Sequence, residues 1–422
     1  MLNPDDYPDD DGDEVERVLQ AAKARVESGQ TAPAWMAGIK LTEKGHIPRT
    51  LTALVQVLVQ HPTTAGKLRH NARTNALECS GDVPWRAAGK IDDPWLTELQ
   101  IYLEQQAGAS WGEQAIYRAV QAVAYRASYD PIADYLRGLT WDGQPRLDEL
   151  LIRYAHAEES ELTRAMTRAW MISAVQRALQ PGCQADHVLI LEGRQGVGKT
   201  RLFRCLAGDG YHAEGRPQLD DKAGSEVLQG PWIYELGEMG VLNRHDSEAV
   251  KQWVTQRVDR YRAAYARLAV DHPRRIALAG TTNEARYLRD ATGGRRWWPV
   301  QVGQVDIDGV AEIRDQLWGE ATTAALAGEP HWLRGDAADA AESAQKARVI
   351  ADPWEEEIGA HIASRSAEGG ELVRLSSAEV WDILGIPVER RGGQTGQRVA
   401  AVMKALRWHP LRDRGSRGWE RD

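Results

Sequence analysis

HVLILEGRQGVGKT, residues 187–200, joins a short apolar run to a glycine-rich turn. His187 to Leu191 is nearly continuous in apolar character, the signature of a strand buried on both faces of a parallel sheet. Gly193, four further residues, Gly198, Lys199 and Thr200 then fit G-x-x-x-x-G-K-[ST]. Glycines let such a loop curl so that successive amides point inward at phosphate oxygens. A helix expected from Lys199 through RLFRCLA adds its N-terminal partial charge. The expected nucleotide contacts are Gly193, Arg194, Gln195, Gly196, Val197, Gly198, Lys199, Thr200 and Arg201. Within that set, Lys199 reaches the β- and γ-phosphates and Thr200 ligates Mg²⁺.

Three further stretches extend this pattern. GPWIYELGEMG (230–240) reads as a second strand ending in Glu235, with Glu238 three residues on. An acid at the end of a strand beside a phosphate loop can hold the shell of a divalent cation, and a second can orient an attacking water. The E-x-x-E spacing leaves open which acid takes which role. RIALAGTTNEA is a third apolar strand, and Asn283 at its tip can touch a γ-phosphate. YLRDATGGRRWWPV presents Arg295 and Arg296 on a glycine turn, candidates for a finger that stabilises phosphoryl charge from a neighbouring subunit.

The block RVDRYRAAYARLAVDHPRR interleaves Arg257, Arg260 and Arg262 with Tyr261 and Tyr265. Cations beside aromatics suit a nucleic-acid strand, and a salt-bridged hairpin would look the same. Residues 389–422 carry nine Lys/Arg against four Asp/Glu. Across 353–422, three helical patterns (PWEEEIGAHIAS, LSSAEVWDIL with a capping box from Ser376 to Glu379, and TGQRVAAVMKAL) and two short strands about a Gly-Ser turn in RWHPLRDRGSRGWERD suggest a winged helix. Arg398, Lys404, Arg414 and Arg417 are its candidate DNA contacts.

At 422 residues the chain has room for several domains, and 42% hydrophobic with 27% charged residues is a globular composition. The formal charge of −9 argues against a simple basic coat for nucleic acid. Cys79, Cys183 and Cys205 are scattered, with no C-x-x-C pair, which argues against a structural zinc site and a disulfide framework. The segment from Asp5 to Glu16 holds eight acids and no bases, unlike a targeting peptide. No apolar run approaches the ~18 residues a membrane helix needs. A cytoplasmic protein is expected. Sixteen tryptophans against one phenylalanine, Phe203, have no physical account at this level.

The order GRQGVGKT, WIYELGE, the basic-aromatic block, GTTN and LRDATGGRRWWPV resembles the virulence-associated E family. DYLRGLTWDGQPRLDELL (134–151) is similar to the segment that family carries before its phosphate loop. The resemblance implies an α/β fold: an AAA+ P-loop NTPase core related to superfamily 3 helicases, a mainly helical N-terminal region and a C-terminal winged-helix domain. The expected boundaries are an acidic tail at 1–30, a mainly helical domain at 31–129, a helical collar at 130–182, the ATPase core at 183–332, a connector at 333–352 and the winged helix at 353–422. It implies ATP and Mg²⁺ as cofactors and Lys199, Glu235, Glu238, Asn283 and Arg295 or Arg296 as the hydrolytic set. Thr200 and Glu235 would face the metal. Lys251 and the Tyr261–Arg262 region would fall near a hairpin that grips DNA. The implied partners are DNA and further copies of the chain, in a ring expected to be a hexamer, with no membrane. Trp297 stands where the family more often has Phe, and no acidic constellation for a primase is present. The expectation is a DNA helicase or translocase serving a phage or mobile element. An ATP-switched replication initiator and an antiphage defence ATPase use the same residues and stay open.

Overall fold

The computed structural model describes residues 33–107, 109–215, 227–237, 244–261, 268–288, 296–367, 374–413 and 416–421. They fall into two compact units divided after Gly138. Glu238, Arg262, Arg295 and Arg414 lie outside the described residues.

In the first unit, Thr50 accepts the Ala53 amide and starts α1 (Leu51–Gln60). Ala53, Leu54, Val57 and Leu58 turn inward, and Leu51 at the helix start is exposed. Helices α2 (Asp93–Ala107) and α3 (Glu113–Arg126) bury Trp95, Leu99, Leu103, Ile116 and Val120 with α1 in one core. The helices expected here are present, and a sheet that was not expected joins them. Its strands are β1 (Leu68–Asn71), β2 (Ala76–Cys79), β3 (Gly89–Lys90) and β4 (Ser128–Tyr129), in the order β3-β2-β1-β4. These strands are two to four residues long, too short to impose an alternating pattern on the sequence.

Helix α4 (Pro131–Gly138) belongs to this unit, although the boundary was expected at 129. Asp130 is the reason. Its Oδ1 accepts the Ile132 amide, capping α4, and its carboxylate takes Nε and Nη2 of the buried Arg73 at 2.9 and 3.2 Å.

The second unit is built on five parallel strands, β5 (Val188–Glu192), β6 (His212–Gly215), β7 (Ile233–Leu236), β10 (Ala277–Thr282) and β11 (Trp297–Gln301). Among the described residues their order is β11-β5-β10-β7-β6. An antiparallel pair, β8 (Val258–Tyr261) and β9 (Val270–Pro273), precedes β10. The three central strands are those expected from their apolar runs. Both edge strands escaped that pattern: β6 reads HAEG, and β11 contains Pro299. Proline lacks the N–H a central strand must donate, so an edge is where a sheet tolerates it.

Both faces of this sheet are covered, as a parallel sheet requires. Helix α5 (Leu150–Ala155) leads to α6 (Glu161–Leu179), which with α7 (Lys199–Ala207) packs on one face. On that side Trp170 of α6 meets Phe203 of α7 and donates its Nε1–H to Leu278 O at 2.7 Å. Trp232 donates to Ala174 O, and Trp318 to Leu206 O, each at 2.9 Å. Several of the tryptophans thus pair a large apolar surface with a hydrogen bond to a main-chain carbonyl, which a phenylalanine could not make. On the other face, Val250, Trp253 and Val254 of α8 (Arg244–Thr255) pack over Ile190, Tyr234 and Leu278.

After β11, α9 (Ile307–Leu326) packs on α6 and α7, and α10 (Asp336–Lys346) runs against β11. The buried carboxylate of Glu320 on α9 accepts the amides of Arg146 and Leu147 and the Arg168 guanidinium, tying the segment before α5 to α9 and α6. Beyond them lie α11 (Pro353–Ala367), β12 (Arg374–Ser376), α12 (Ser377–Ile383), α13 (Gly393–Ala405), β13 (His409–Asp413) and β14 (Ser416–Glu420). The capping box at Ser376 and Glu379 is formed as expected. The two expected C-terminal strands pair, and β12 joins them as a third in the order β12-β14-β13. Ile358, Val380, Val399, Val402, Met403 and Trp408 form a core of their own under this sheet.

Candidate functional site

Inserting β10 between β5 and β7 brings three strand ends together along one rim of the sheet. The loop Gly193–Gly198 follows β5, Thr281 lies near the end of β10 with Asn283 just past it, and Glu235 lies near the end of β7. The loop is fixed by its surroundings. Gly193 N donates to Thr282 O at 3.2 Å, and Val305 N, from the turn after β11, donates to Val197 O at 2.8 Å. A side chain at Gly193 would place its Cβ 2.6 Å from Val302 O, so only glycine fits. Gly198, at φ +100°, turns the chain into α7 with Val305 packed against it.

Lys199 is buried, and its ammonium lies under the loop. Its three hydrogens go to Gly193 O at 2.6 Å, Arg194 O at 2.9 Å and Asn283 Oδ1 at 2.8 Å. Burial holds the ammonium below the usual lysine range, opposed by the charge of Glu235. Thr200 donates its hydroxyl to Glu235 Oε1 at 2.7 Å, and Thr281 donates to the same oxygen at 2.7 Å. Glu235 is fully buried, and His212 on β6 lies 2.9 Å from its Oε2. Arg194, Gln195, Gly196 and Arg201 are exposed around the loop.

The rim thus gathers Lys199, Thr200, Glu235 and Asn283, all expected from the sequence. It also gathers His212, which the sequence did not single out. A lone histidine in YHAEG carries no spacing signal, and only the pairing of β6 with β7 brings it to Glu235. Thr281, two residues before Asn283, joins them from β10. Beneath the loop, Glu192 accepts Tyr287 Oη at 2.9 Å and both Nε and Nη2 of Arg348, at 2.9 and 2.8 Å. Burial, then the charge of Glu192, pushes the Tyr287 phenol up, so it stays a donor.

Arg296 is not on this rim. It immediately precedes β11, whose Trp297 is level with Val188 at the start of β5. The sheet's length, roughly 16 Å for five residues, separates that level from the loop.

The expected DNA contacts are scattered. Arg257 donates to Gly182 O at 2.7 Å. Arg260 is exposed on β8, 3.7 Å from Asp271 on β9, and Tyr261 pairs with Val270 through the backbone. Lys251 is buried. Arg398 grips Asp352 at 2.7 and 2.8 Å and stacks 3.6 Å over Trp354, which binds α13 to the start of α11. Lys404 is exposed on α13, and Arg417 pairs with Arg412 in the β13–β14 ladder.

Among the described residues, no group of three His, Cys, Asp or Glu side chains is placed to hold a metal unaided. No described helix is long and apolar enough to cross a membrane.

The family model described as the virulence-associated protein E-like domain matches residues 136–350, roughly half of the chain. No curated protein matches significantly by sequence. Among solved structures, an apo A form of the NrS-1 C-terminal region (305–718) is 13% identical, covering 87% of this chain and 99% of that one at a TM-score of 0.48. A second apo structure of the same region is 12% identical, covering 84% and 96% at a TM-score of 0.47.

Proposed function

This chain belongs to the virulence-associated protein E-like domain family, and from that premise we propose that it is a DNA-dependent ATP hydrolase. In this proposal residues 183–332 are an AAA+ P-loop core of the superfamily 3 helicase type, and 353–422 a winged helix that engages DNA. The chain assembles as a ring, a hexamer, and moves along or unwinds DNA in the replication of a phage or mobile element. The observation that carries the proposal is the convergence of Lys199, Thr200, Glu235 and Asn283 on one rim of the parallel sheet.

The rim fits a triphosphate with a divalent cation. Lys199 spends its three hydrogens on oxygens of the loop and of Asn283, which phosphate oxygens would replace. The close approach of Gly193 to Val302 leaves the backbone, not a side chain, to line the loop. Thr200, with its hydrogen given to Glu235, keeps its lone pairs for a cation. Mg²⁺ takes one or two protein ligands beside phosphate and water, as a site without a three-carboxylate cage requires. When bound it would neutralise charge on the β- and γ-oxygens.

Each side chain then has a task. Lys199 holds the phosphates and Asn283 faces the γ-phosphate and the water. Glu235, with both oxygens already accepting, serves the metal shell better than water activation, which leaves Glu238 as the base. In this reading Arg295 or Arg296 completes the site from a neighbour, in keeping with Arg296 preceding the end of β11 that is level with the start of β5. Hydrolysis removes that contact and lets the β8–β9 hairpins shift along the strand.

A strand-displacement assay on forked DNA tests the motor. Unwinding with ATP and none with a non-hydrolysable analogue is expected. Equal activity with both would mean an ATP-switched binder instead.

A further inference from the structure

We propose that His212 is the positioning residue that aims Glu235, and through it Thr200, at the divalent cation, an inference that rests on the nucleotide site described above. Glu235 is 0% exposed and the His212 side chain 5%. A carboxylate withdrawn so far from water keeps a fixed orientation only if donors occupy its oxygens. Two hydroxyls, from Thr200 and Thr281, converge on Oε1. His212 is the partner at Oε2, at 2.9 Å, and against a carboxylate its Nε2 carries the hydrogen.

The three donors come from three separate elements, α7, β10 and β6. Together they fix the plane of the carboxylate. Without the imidazole, Oε2 becomes a buried acceptor with an empty side, and the group turns about its Cγ–Cδ bond to find another donor. Oε1 turns with it, and the Thr200 hydroxyl loses the acceptor that points its lone pairs outward. The damage falls on the cation, since Lys199 and the loop amides hold phosphate without His212.

The strand pairing makes this a built arrangement rather than a chance contact. His212 pairs with Ile233 in the parallel ladder, and Ile233 and Glu235 point to the same face of β7. The outermost strand of the sheet is therefore registered so that its first side chain reaches across to the carboxylate.

The test titrates Mg²⁺ into the full-length protein with a fluorescent, non-hydrolysable ATP analogue and reads binding, with no turnover required. His212→Ala is expected to raise the Mg²⁺ concentration for half-maximal binding roughly 10- to 100-fold, the usual effect of losing an outer-shell partner. Binding in EDTA stays as in the wild type. His212→Gln, whose amide nitrogen reaches the place of Nε2, restores most of the Mg²⁺ response, and the shorter His212→Asn does not. If the alanine variant fails to fold, the Gln and Asn variants carry the comparison. Wild-type Mg²⁺ dependence in all three variants would overturn the inference, as would equal loss in Gln and Asn together with loss of binding in EDTA. Wild-type binding that needs Lys199 but not Mg²⁺ would overturn it and leave the nucleotide site standing. No nucleotide binding by the wild type would overturn both.

Discussion

Glu192 and Arg348 form a two-pronged ion pair, Nε to Oε1 at 2.9 Å and Nη2 to Oε2 at 2.8 Å. Glu192 is the last residue before the glycine loop, and Arg348 lies past α10 on the way to the C-terminal elements. Tyr287, four residues past Asn283, donates to the same carboxylate, and Leu288 bridges to Val349. The loop, the segment after β10 and the connector therefore share one anchor. Arg348→Ala leaves a nearly buried carboxylate without its cation. A stability loss of about 3 kcal/mol is expected, read as a lower urea midpoint. A loss under about 1 kcal/mol would place the pair among ordinary surface contacts.

His187 supplies a pH dependence. It is buried and stacked on Trp298 at 3.8 Å, and burial pushes its pKa from 6.5 down to about 3. Between those values the unfolded chain binds a proton that the folded chain refuses. Stability is then full above about pH 6.5 and falls as the pH drops toward 3, by up to about 1.4 kcal/mol per pH unit. His187→Gln removes this part of the slope. Urea midpoints for both proteins between about pH 7 and 5 check it, and parallel curves would contradict it.

The glycines of the loop are not equivalent. At Gly193 a Cβ meets Val302 O at 2.6 Å, and backbone cannot step aside. Gly193→Ala is expected to cost about 1–3 kcal/mol and to abolish nucleotide binding. At Gly196, φ is +85° and the space is open, so alanine costs only the left-handed conformation, about 1–2 kcal/mol. Thermal melts with and without nucleotide separate the two, and Gly196→Ala still gains stability from the ligand.

Asn283 meets Lys199 at 2.8 Å without lining the loop. Asn283→Ala is expected to lower kcat for ATP about 100-fold while leaving the nucleotide Kd within a few-fold. Equal losses in kcat and affinity would make Asn283 a binding residue.

Much of this rim was legible in the sequence because its parts carry local signals. GRQGVGKT has a fixed spacing, and β5, β7 and β10 are apolar runs ending in polar residues. Edge strands carry less: HAEG in β6 has no apolar run, and Pro299 in β11 reads as a breaker. His212, Tyr287 and Arg348 were missed because each acts on an acid far away in sequence, through strand order or chain return. Asp130 moved a domain boundary for the same reason, since its partner Arg73 lies 57 residues earlier. Trp170, Trp232 and Trp318 made sense only once their indole hydrogens met main-chain carbonyls of packed neighbours.

The central claim is that Lys199 and its rim hydrolyse ATP. The most direct test is the steady-state ATPase rate of purified wild type and Lys199→Ala, with and without single-stranded DNA. Wild-type hydrolysis stimulated by DNA, and a fall of at least about 100-fold in the variant, is the result predicted. A folded Lys199→Ala protein that hydrolyses ATP at the wild-type rate would contradict it.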